Sequence, residues 1–564
     1  MTTSPHDPPA RERPRRSRPV RAGRPPYPAR AARTTGVAAT VALLAATLVL
    51  PTAAAAANGP ASDATSTTTA VATATAGATA TATATATAVA AAAAADELPA
   101  PRLDWTACPF PGAPEGLQCA SVQVPVDYAD PRGAKTTVTV DRLPATGAHP
   151  VGSLFFDPGG PGGSGTELVY AESLGAGLFS AATREHFDLI GLDPRGVGLS
   201  SPVRCDPELL NRQVSLFPSD EAGFQRLVER NRELGRSCRR LTGPLLDHLD
   251  TVSAARDLEV LRRALGQGAL NYLGLSYGSQ LGATYAALFP DRIRTLALDG
   301  ALDHSLATTT LFKDEARAYE DSFRRFVGWC AQDTTCALHG IDVGRLFDEL
   351  VTAADRTPIP APDCVRSGGC RSSVTGEDIR LNLQGRLLFP SRRGELALAL
   401  EQARNGDASA FSSPLATGPA DGEANGSAIA IECLDWPTPI RTLADLQRLQ
   451  GIGRTVAPRL GGASQSWTIL TGCVGWPEPV VNPPRPAAVR HAPPILITNA
   501  THDPSTAYPW AVHLAGQLPS SVLVTREGDG HTSYLARGAA RTRDAIDSYL
   551  LTGRTPPPGT VYAD

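Results

Sequence analysis

The sequence predicts an α/β fold: a mostly parallel sheet flanked by helices, with a mainly helical cap domain inserted before the last strands. Three observations carry this expectation. Between residues 153 and 298, short apolar runs that read as buried strands alternate with segments of helical apolar period. The alternation breaks after Asp303 and resumes at Ile495–Thr498 and Val522–Thr525. Between those points, residues 304–485 are helix-like, are interrupted by Pro- and Gly-rich loops such as TPIPAPDCVRSGGC, and hold six of the ten cysteines.

Length and composition admit such a fold. The chain has 564 residues, 42% of them hydrophobic and 19% charged, enough for a core and against global disorder. The formal net charge is -4. Nine Arg within residues 1–35 face only Asp7 and Glu12, so the remainder is acidic. No basic stripe interleaved with aromatics occurs, so no nucleic-acid partner is expected.

Residues 1–57 read as a signal peptide. An Arg-rich region runs to Arg33, an apolar stretch follows from Val37 to Leu50, and Pro51 leads into small residues that suit cleavage near Ala53–Ala57. The apolar run is shorter than the ~20 residues a spanning helix needs, so no stable membrane insertion is expected after cleavage. Arg15-Arg16 lies far from the apolar run, which favours the general secretory route over a twin-arginine signal. Residues 58–100 are an Ala/Thr-rich segment without the large side chains that would offset the entropy of ordering, and read as a disordered linker. All ten cysteines follow it. An even count in an exported chain predicts disulfides, and pairing neighbours in order, which gives short to moderate loops, is the expected connectivity. No C-x-x-C pair or clustered His points to zinc.

The folded part begins near Leu103. Ser121–Val126 and Thr136–Leu143 alternate like strands across a turn-rich DYADPRGAK. Ser153–Phe156 ends in the Gly-rich DPGGPGGSG, and Phe187–Leu192 in DPRGVGLSSP. Ala254–Leu265 has a helical period, Tyr272–Leu275 is a short strand, Gln280–Phe289 a helix and Thr295–Leu298 a strand. A last helix is expected around Thr542–Leu550.

Gly274-Leu275-Ser276-Tyr277-Gly278 matches G-x-S-x-G. The pattern alone is common by chance, but here a strand runs into it and a helix follows, the context a nucleophile elbow requires. Ser276 is therefore the candidate nucleophile and the α/β-hydrolase fold the expected one. Its first core part spans 101–303, the cap 304–485 and a C-terminal core part 486–564. A serine hydroxyl needs a base to take its proton, and in this fold the order is Ser, acid, His. His531, in the Gly-rich REGDGHTSY after a late strand, is the candidate base, with His502 the fallback. Asp503, in NATHDPST after the strand ILIT, is the candidate acid. Asp299, at the end of LALD, is its rival, and Asp529 reads as shaping the loop. The oxyanion hole needs two backbone N–H donors, one from Tyr277 and one from Gly160 in the Gly-rich loop.

Taken together, GGPGGSG, DPRGVGLSSP, ARDLEVLRRALG, LNYLGLSYGSQLGATYAALFPDRIR and THDPST with GDGHTSY resemble the secreted bacterial tripeptidyl aminopeptidases, α/β-hydrolase serine peptidases of prolyl-aminopeptidase type. The resemblance runs from about Leu103 onward and is weakest in the cap. The final stretch is similar to that family's own C-terminal segment. It implies Ser276, Asp503 and His531 as a triad, Gly160 as an oxyanion donor, Asp193 and Arg195 as structural residues near the site, and Thr506 as a hydroxyl beside the triad. One departure is Asp157, where the family usually has Asn before PGGPG; it bears on the loop's hydrogen bonds. An aminopeptidase must also hold a free α-ammonium, and AIECLDWP offers Glu432 and Asp435, which read equally as solvated cap residues.

The expected function is a secreted serine peptidase that cleaves near the free N-terminus of peptides through an acyl-enzyme. It would act as a monomer without metal or organic cofactor. An esterase or lipase-like enzyme with the same triad is the first alternative, because fold and triad do not set the leaving group. A non-catalytic surface-binding protein is the second. Epoxide hydrolase and dehalogenase chemistry needs a carboxylate at the elbow, where this chain has Ser276.

Overall fold

The computed structural model describes Leu50–Pro51 and residues 100–418, 423–536 and 538–563. Apart from Leu50–Pro51 and Ala100, the expected signal peptide and linker lie outside the described residues.

The strands of the main sheet are β1 (Thr106–Ala107), β2 (Gln118–Pro125), β3 (Lys135–Leu143), β4 (Gly152–Asp157), β5 (Phe187–Leu192), β6 (Leu270–Leu275), β7 (Ile293–Asp299), β8 (Ile495–Asp503), β9 (Ser521–Asp529) and β10 (Val561–Ala563). Their spatial order is β10-β9-β8-β7-β6-β4-β5-β3-β2-β1, and Leu50–Pro51 lie antiparallel along β8. The pairs from β5 through β10 are parallel, while β1, β2 and β3 join antiparallel. Every residue of β6, LNYLGL, is buried, as expected of a central strand covered on both faces. The structure adds β1 and β10, too short to show an apolar period.

Helices cover both faces. They include α1 (Gly165–Ser173), α2 (Glu221–Thr242), α3 (Thr251–Ala264) and α4 (Tyr277–Leu288). Between β7 and β8 come α5 (Thr308–Gln332), α6 (Arg393–Arg404), α7 (Glu423–Asp435) and α8 (Gln465–Gly472), and α9 (Ala540–Thr552) follows β9. Short polar side chains start several of them. Asp250 accepts from Ser253 N at α3 and Ser464 from Trp467 N at α8, satisfying N–H groups that lack a helical partner. Helix α4 begins at Tyr277, three residues before the helical period becomes readable, because its first turn is the elbow itself.

Helix α2, from the β5–β6 crossover, docks on the segment between β7 and β8: Asn231 Nδ2 donates to Thr471 O at 2.8 Å and to Val474 O at 2.9 Å. Five disulfides pair the cysteines in sequence order, Cys108–Cys119, Cys205–Cys238, Cys330–Cys336, Cys364–Cys370 and Cys433–Cys473. The last ties α7 to the end of α8. Among the described residues no helix is long and apolar enough to cross a membrane.

Candidate active site

Strand β6 delivers Ser276 at the carboxyl edge of the sheet. Its backbone is left-handed, φ 56° and ψ -120°, a conformation an L-residue holds only under constraint. The constraint is visible. Ser276 N–H donates to Asp299 O at 3.0 Å, and Ser276 O accepts from Ser279 N at 2.8 Å. The flanking glycines are required by packing: a Cβ on Gly274 would strike Gly278 O, and one on Gly278 would lie 2.7 Å from Asp157 O. The Ser276 side chain is buried but opens into a cavity of about 40 Å³.

The loop after β4 lies against this elbow. Gly159 has φ 90°, and a Cβ there would strike Leu275 O and sit 2.9 Å from Tyr277 N. Its N–H is taken by Asp157 Oδ1 at 2.7 Å. Gly160 and Tyr277 both line the cavity with Ser276. Tyr277 is the first residue of α4, so its N–H has no partner within the helix. The two backbone groups expected to hold an oxyanion thus flank the serine.

The last residue of β8 is Asp503, and His531 follows β9 by two residues; both side chains are fully buried. His531 Nδ1 lies 3.0 Å from Asp503 Oδ2. Asp503 also accepts from Ser505 N (2.9 Å), Thr506 N (2.6 Å) and Thr506 Oγ1 (2.5 Å). Burial pushes the Asp503 carboxyl well up from its ordinary range, and these donors pull it back. Burial, with Arg526 nearby, holds His531 well below the ordinary imidazole value, so it is neutral and able to act as a base. The Asp503 contact makes Nδ1 the protonated nitrogen and leaves Nε2 as the acceptor. His531 Nε2 is buried without a partner among the described residues, free for a substrate-bound Ser276.

The alternative residues stand elsewhere. Asp299 accepts from Thr498 Oγ1 at 2.6 Å and Tyr534 N at 2.8 Å, strapping β7 to β8 and to the segment after His531. His502 faces Asp321 of α5 at 3.3 Å. Asp529 pairs with two cap arginines, Arg325 and, at 2.5 Å, Arg393. Asp193 accepts from Ser164, Thr166 and Leu199, and Arg195 is buried against Asp257. Two positioning residues were not legible in the sequence. Gly300 leaves room for the imidazole, since a Cβ there would lie 2.8 Å from His531 Cε1. Arg526 clamps the histidine loop through Asp529 O at 2.9 Å, Gly530 O and Ser533 Oγ at 3.2 Å.

Leu311, Ile431, Trp436 and Ile469 of the cap close the cavity together with Leu302 and Trp510 of the core, and the cap places carboxyls among them. Glu432 and Asp435, both on α7, line the cavity, but they are unlike. Asp435 accepts from Thr251 N (3.2 Å), Thr251 Oγ1, Gln280 Nε2 (2.9 Å) and Asn482 Nδ2 (2.8 Å), so it anchors α7 to the core. Burial raises it to about 7. The half-buried Glu432 side chain forms no hydrogen bond or ion pair among the described residues. Facing it is a residue the sequence did not single out, Glu315 on α5, which accepts from Ser466 N at 2.5 Å. Burial raises Glu315 to about 8, and burial with the charges of Glu315 and Asp435 pushes Glu432 well up. Among the described residues no His, Cys, Asp and Glu cluster is arranged to hold a metal ion.

Residues 153–357 match the α/β-hydrolase fold model, and residues 458–562 the TAP-like protein model. The tripeptidyl aminopeptidase of Streptomyces lividans is 32% identical over 474 residues, 80% of this chain and 85% of that one. The chain belongs to the tripeptidyl aminopeptidase family of α/β-hydrolases. The serine protease Hip1 of Mycobacterium tuberculosis H37Rv is 31% identical over 481 residues, 81% of this chain and 90% of that one. Carboxylesterase B of the same strain is 32% identical over 487 residues, 81% and 89%. The tripeptidyl aminopeptidase family membership makes this chain a serine hydrolase.

Proposed function

We propose that this serine hydrolase is an exported aminopeptidase that cleaves peptide bonds close to a free N-terminus. One observation carries the reading: the cavity that holds Ser276 also holds Glu315 and Glu432, carboxyls that no lysine or arginine pairs with among the described residues. Two acids forced together either keep a proton or take up a cation, and the α-ammonium of a peptide supplies the cation. Bound there, the substrate presents its carbonyl to Ser276. His531 takes the serine proton as Ser276 attacks, the Gly160 and Tyr277 N–H groups hold the oxyanion, and Asp503 stabilises the imidazolium. His531 then protonates the leaving amine, and water releases the acyl group by the same route. The apolar cap residues exclude bulk water around these charges.

Cleavage of tripeptidyl and aminoacyl amides, their N-acetylated forms and simple esters tests the reading. N-acetylation is expected to lower amide hydrolysis by about 100-fold, the value of a buried charge-assisted contact. Unchanged hydrolysis of the blocked amides would reject amine recognition. The name of the 32% identical carboxylesterase B supports esterase as the second reading, which preferred turnover of esters lacking an amine would establish. The disulfides support export; N-terminal sequencing of the protein from culture medium should find a start near Ala53–Ala57, and gel filtration a monomer.

A further inference from the structure

Asp157 lies where β4 turns into the Gly-rich loop, and the chemistry above leaves its carboxyl without a task. It is fully buried. Oδ1 accepts the Gly159 N–H at 2.7 Å, while Oδ2 has no hydrogen-bond partner. It makes no ion pair among the described residues. The titratable groups facing it are the Asp193 carboxyl beyond β5 and the phenols of Tyr272 on β6 and Tyr277 on α4. Neither phenol donates to it: Tyr272 Oη donates to Gly278 O at 2.8 Å, and Tyr277 Oη bonds Thr251 Oγ1 at 2.8 Å. Asp193 is the instructive contrast. It is equally buried, and burial raises it too, but it accepts four hydrogen bonds that pull it back, from Ser164 Oγ, Thr166 N, Thr166 Oγ1 and Leu199 N. Asp157 accepts one. Burial raises it to about 7, against the pull of the Gly159 N–H and with the help of Asp193.

Its position matters as much as its charge. The carboxyl lies beneath the first turn of α4, where a Cβ on Gly278 would come 3.3 Å from Asp157 Cγ. That helix end supplies the Tyr277 N–H, and Gly159, which Asp157 holds, precedes Gly160. A negative charge here draws on the same positive helix terminus that a substrate oxyanion needs.

We propose that Asp157 is a positioning residue whose proton sets the strength of the oxyanion hole. Neutral, it fixes the Gly159–Gly160 turn and leaves the site its full positive potential. Ionised, with its proton lost to solvent, it opposes the charge developing on the substrate oxygen. Catalysis then has an alkaline limit that arises neither from His531 nor from a substrate amine. This rests on Ser276 as the nucleophile but not on peptide specificity.

The test follows Ser276 labelling by a fluorophosphonate, which carries no amine, on the full chain from about pH 5 to about pH 10. The wild-type rate should rise as His531 becomes neutral and fall again above about 7. Asp157→Asn keeps the oxygen that accepts from Gly159 but cannot ionise. It should lose the alkaline fall and label about tenfold faster than wild type at about pH 9. Asp157→Ala, folded by circular dichroism, should label more slowly at every pH. A wild-type profile without an alkaline fall overturns the proposal whatever the variants do. So does an Asp157→Asn profile that overlays the wild type or lies below it throughout. Absence of any wild-type labelling overturns Ser276 as nucleophile and the proposal with it, an outcome distinct from failure of amine recognition.

Discussion

The carboxyl edge of the sheet and the cavity face of the cap meet at one cavity but are built by opposite means. At the sheet edge each side chain of the proposed triad sits at or just beyond a strand end: Ser276 after β6, Asp503 closing β8, His531 after β9. Hydrogen bonds from the immediate chain, Ser505 N and Thr506 N, hold the Asp503 carboxyl, which meets His531 Nδ1 at 3.0 Å. In the cap, Glu315 and Glu432 come from helices over a hundred residues apart and are set by how α5, α7 and α8 pack. On the proposed function, the sheet edge carries the reaction on residues placed by strand ends, and the cap selects the substrate through the packing of distant helices. A change at the edge should remove turnover, and a change in the cap should redirect it.

The largest expected effect tests the edge. Ser276→Ala should lower turnover by about 10⁶-fold and abolish fluorophosphonate labelling, with an unchanged melting temperature. Asp503→Asn should cost about 10⁴-fold in kcat through loss of the correct imidazole tautomer, while Asp299→Asn should mainly lower the melting temperature. A greater kcat loss for Asp299→Asn would exchange the two roles.

Cap variants should act on binding. Glu432→Gln and Glu315→Gln should each raise KM for free-amine substrates by about 10- to 100-fold and leave esters without an amine unaffected. Equal losses on both substrate types would merge the cap with the catalytic machinery.

A pH effect separates the regions further. The buried acids Asp157 and Asp435 (about 7) and Glu315 (about 8) hold protons in the folded chain that the unfolded chain releases above about pH 4. Their raised values stabilise the folded state at low pH and lose that contribution as pH rises toward 8. His531 has the opposite sign: held neutral by burial, it costs stability as pH falls below about 6.5. Thermal melts without substrate should show Glu315→Gln flattening the alkaline decline and His531→Gln flattening the acid one.

The smallest effect lies at the seam. Asp529 pairs with Arg325 and Arg393 across cap and core, partly exposed, so Asp529→Ala should cost about 1 kcal/mol or less in a denaturant titration.

Much of the edge was legible. G-x-S-x-G between a buried strand and a helix, the PGGPGG loop, and the late Asp and His each carry local signals, because an elbow or a tight turn constrains its own few residues. The cap was legible as helices but not as a site. AIECLDWP pointed to Glu432 and Asp435, yet nothing in it showed that Asp435 is committed to Thr251, Gln280 and Asn482. Glu315 lies within an ordinary amphipathic helix, and Gly300 and Arg526 matter only through the ring and loop they touch.

By itself, then, the sequence determined the strand–helix alternation, the cysteine order, the nucleophile's strained turn and the identity of the residues at the strand ends. These depend on period, turn chemistry and chain order, all local quantities. The tertiary structure alone decided which carboxyls face the cavity, which are satisfied by hydrogen bonds and which are left wanting a cation or a proton. That follows from burial, and burial is set by segments distant in the chain closing over one another.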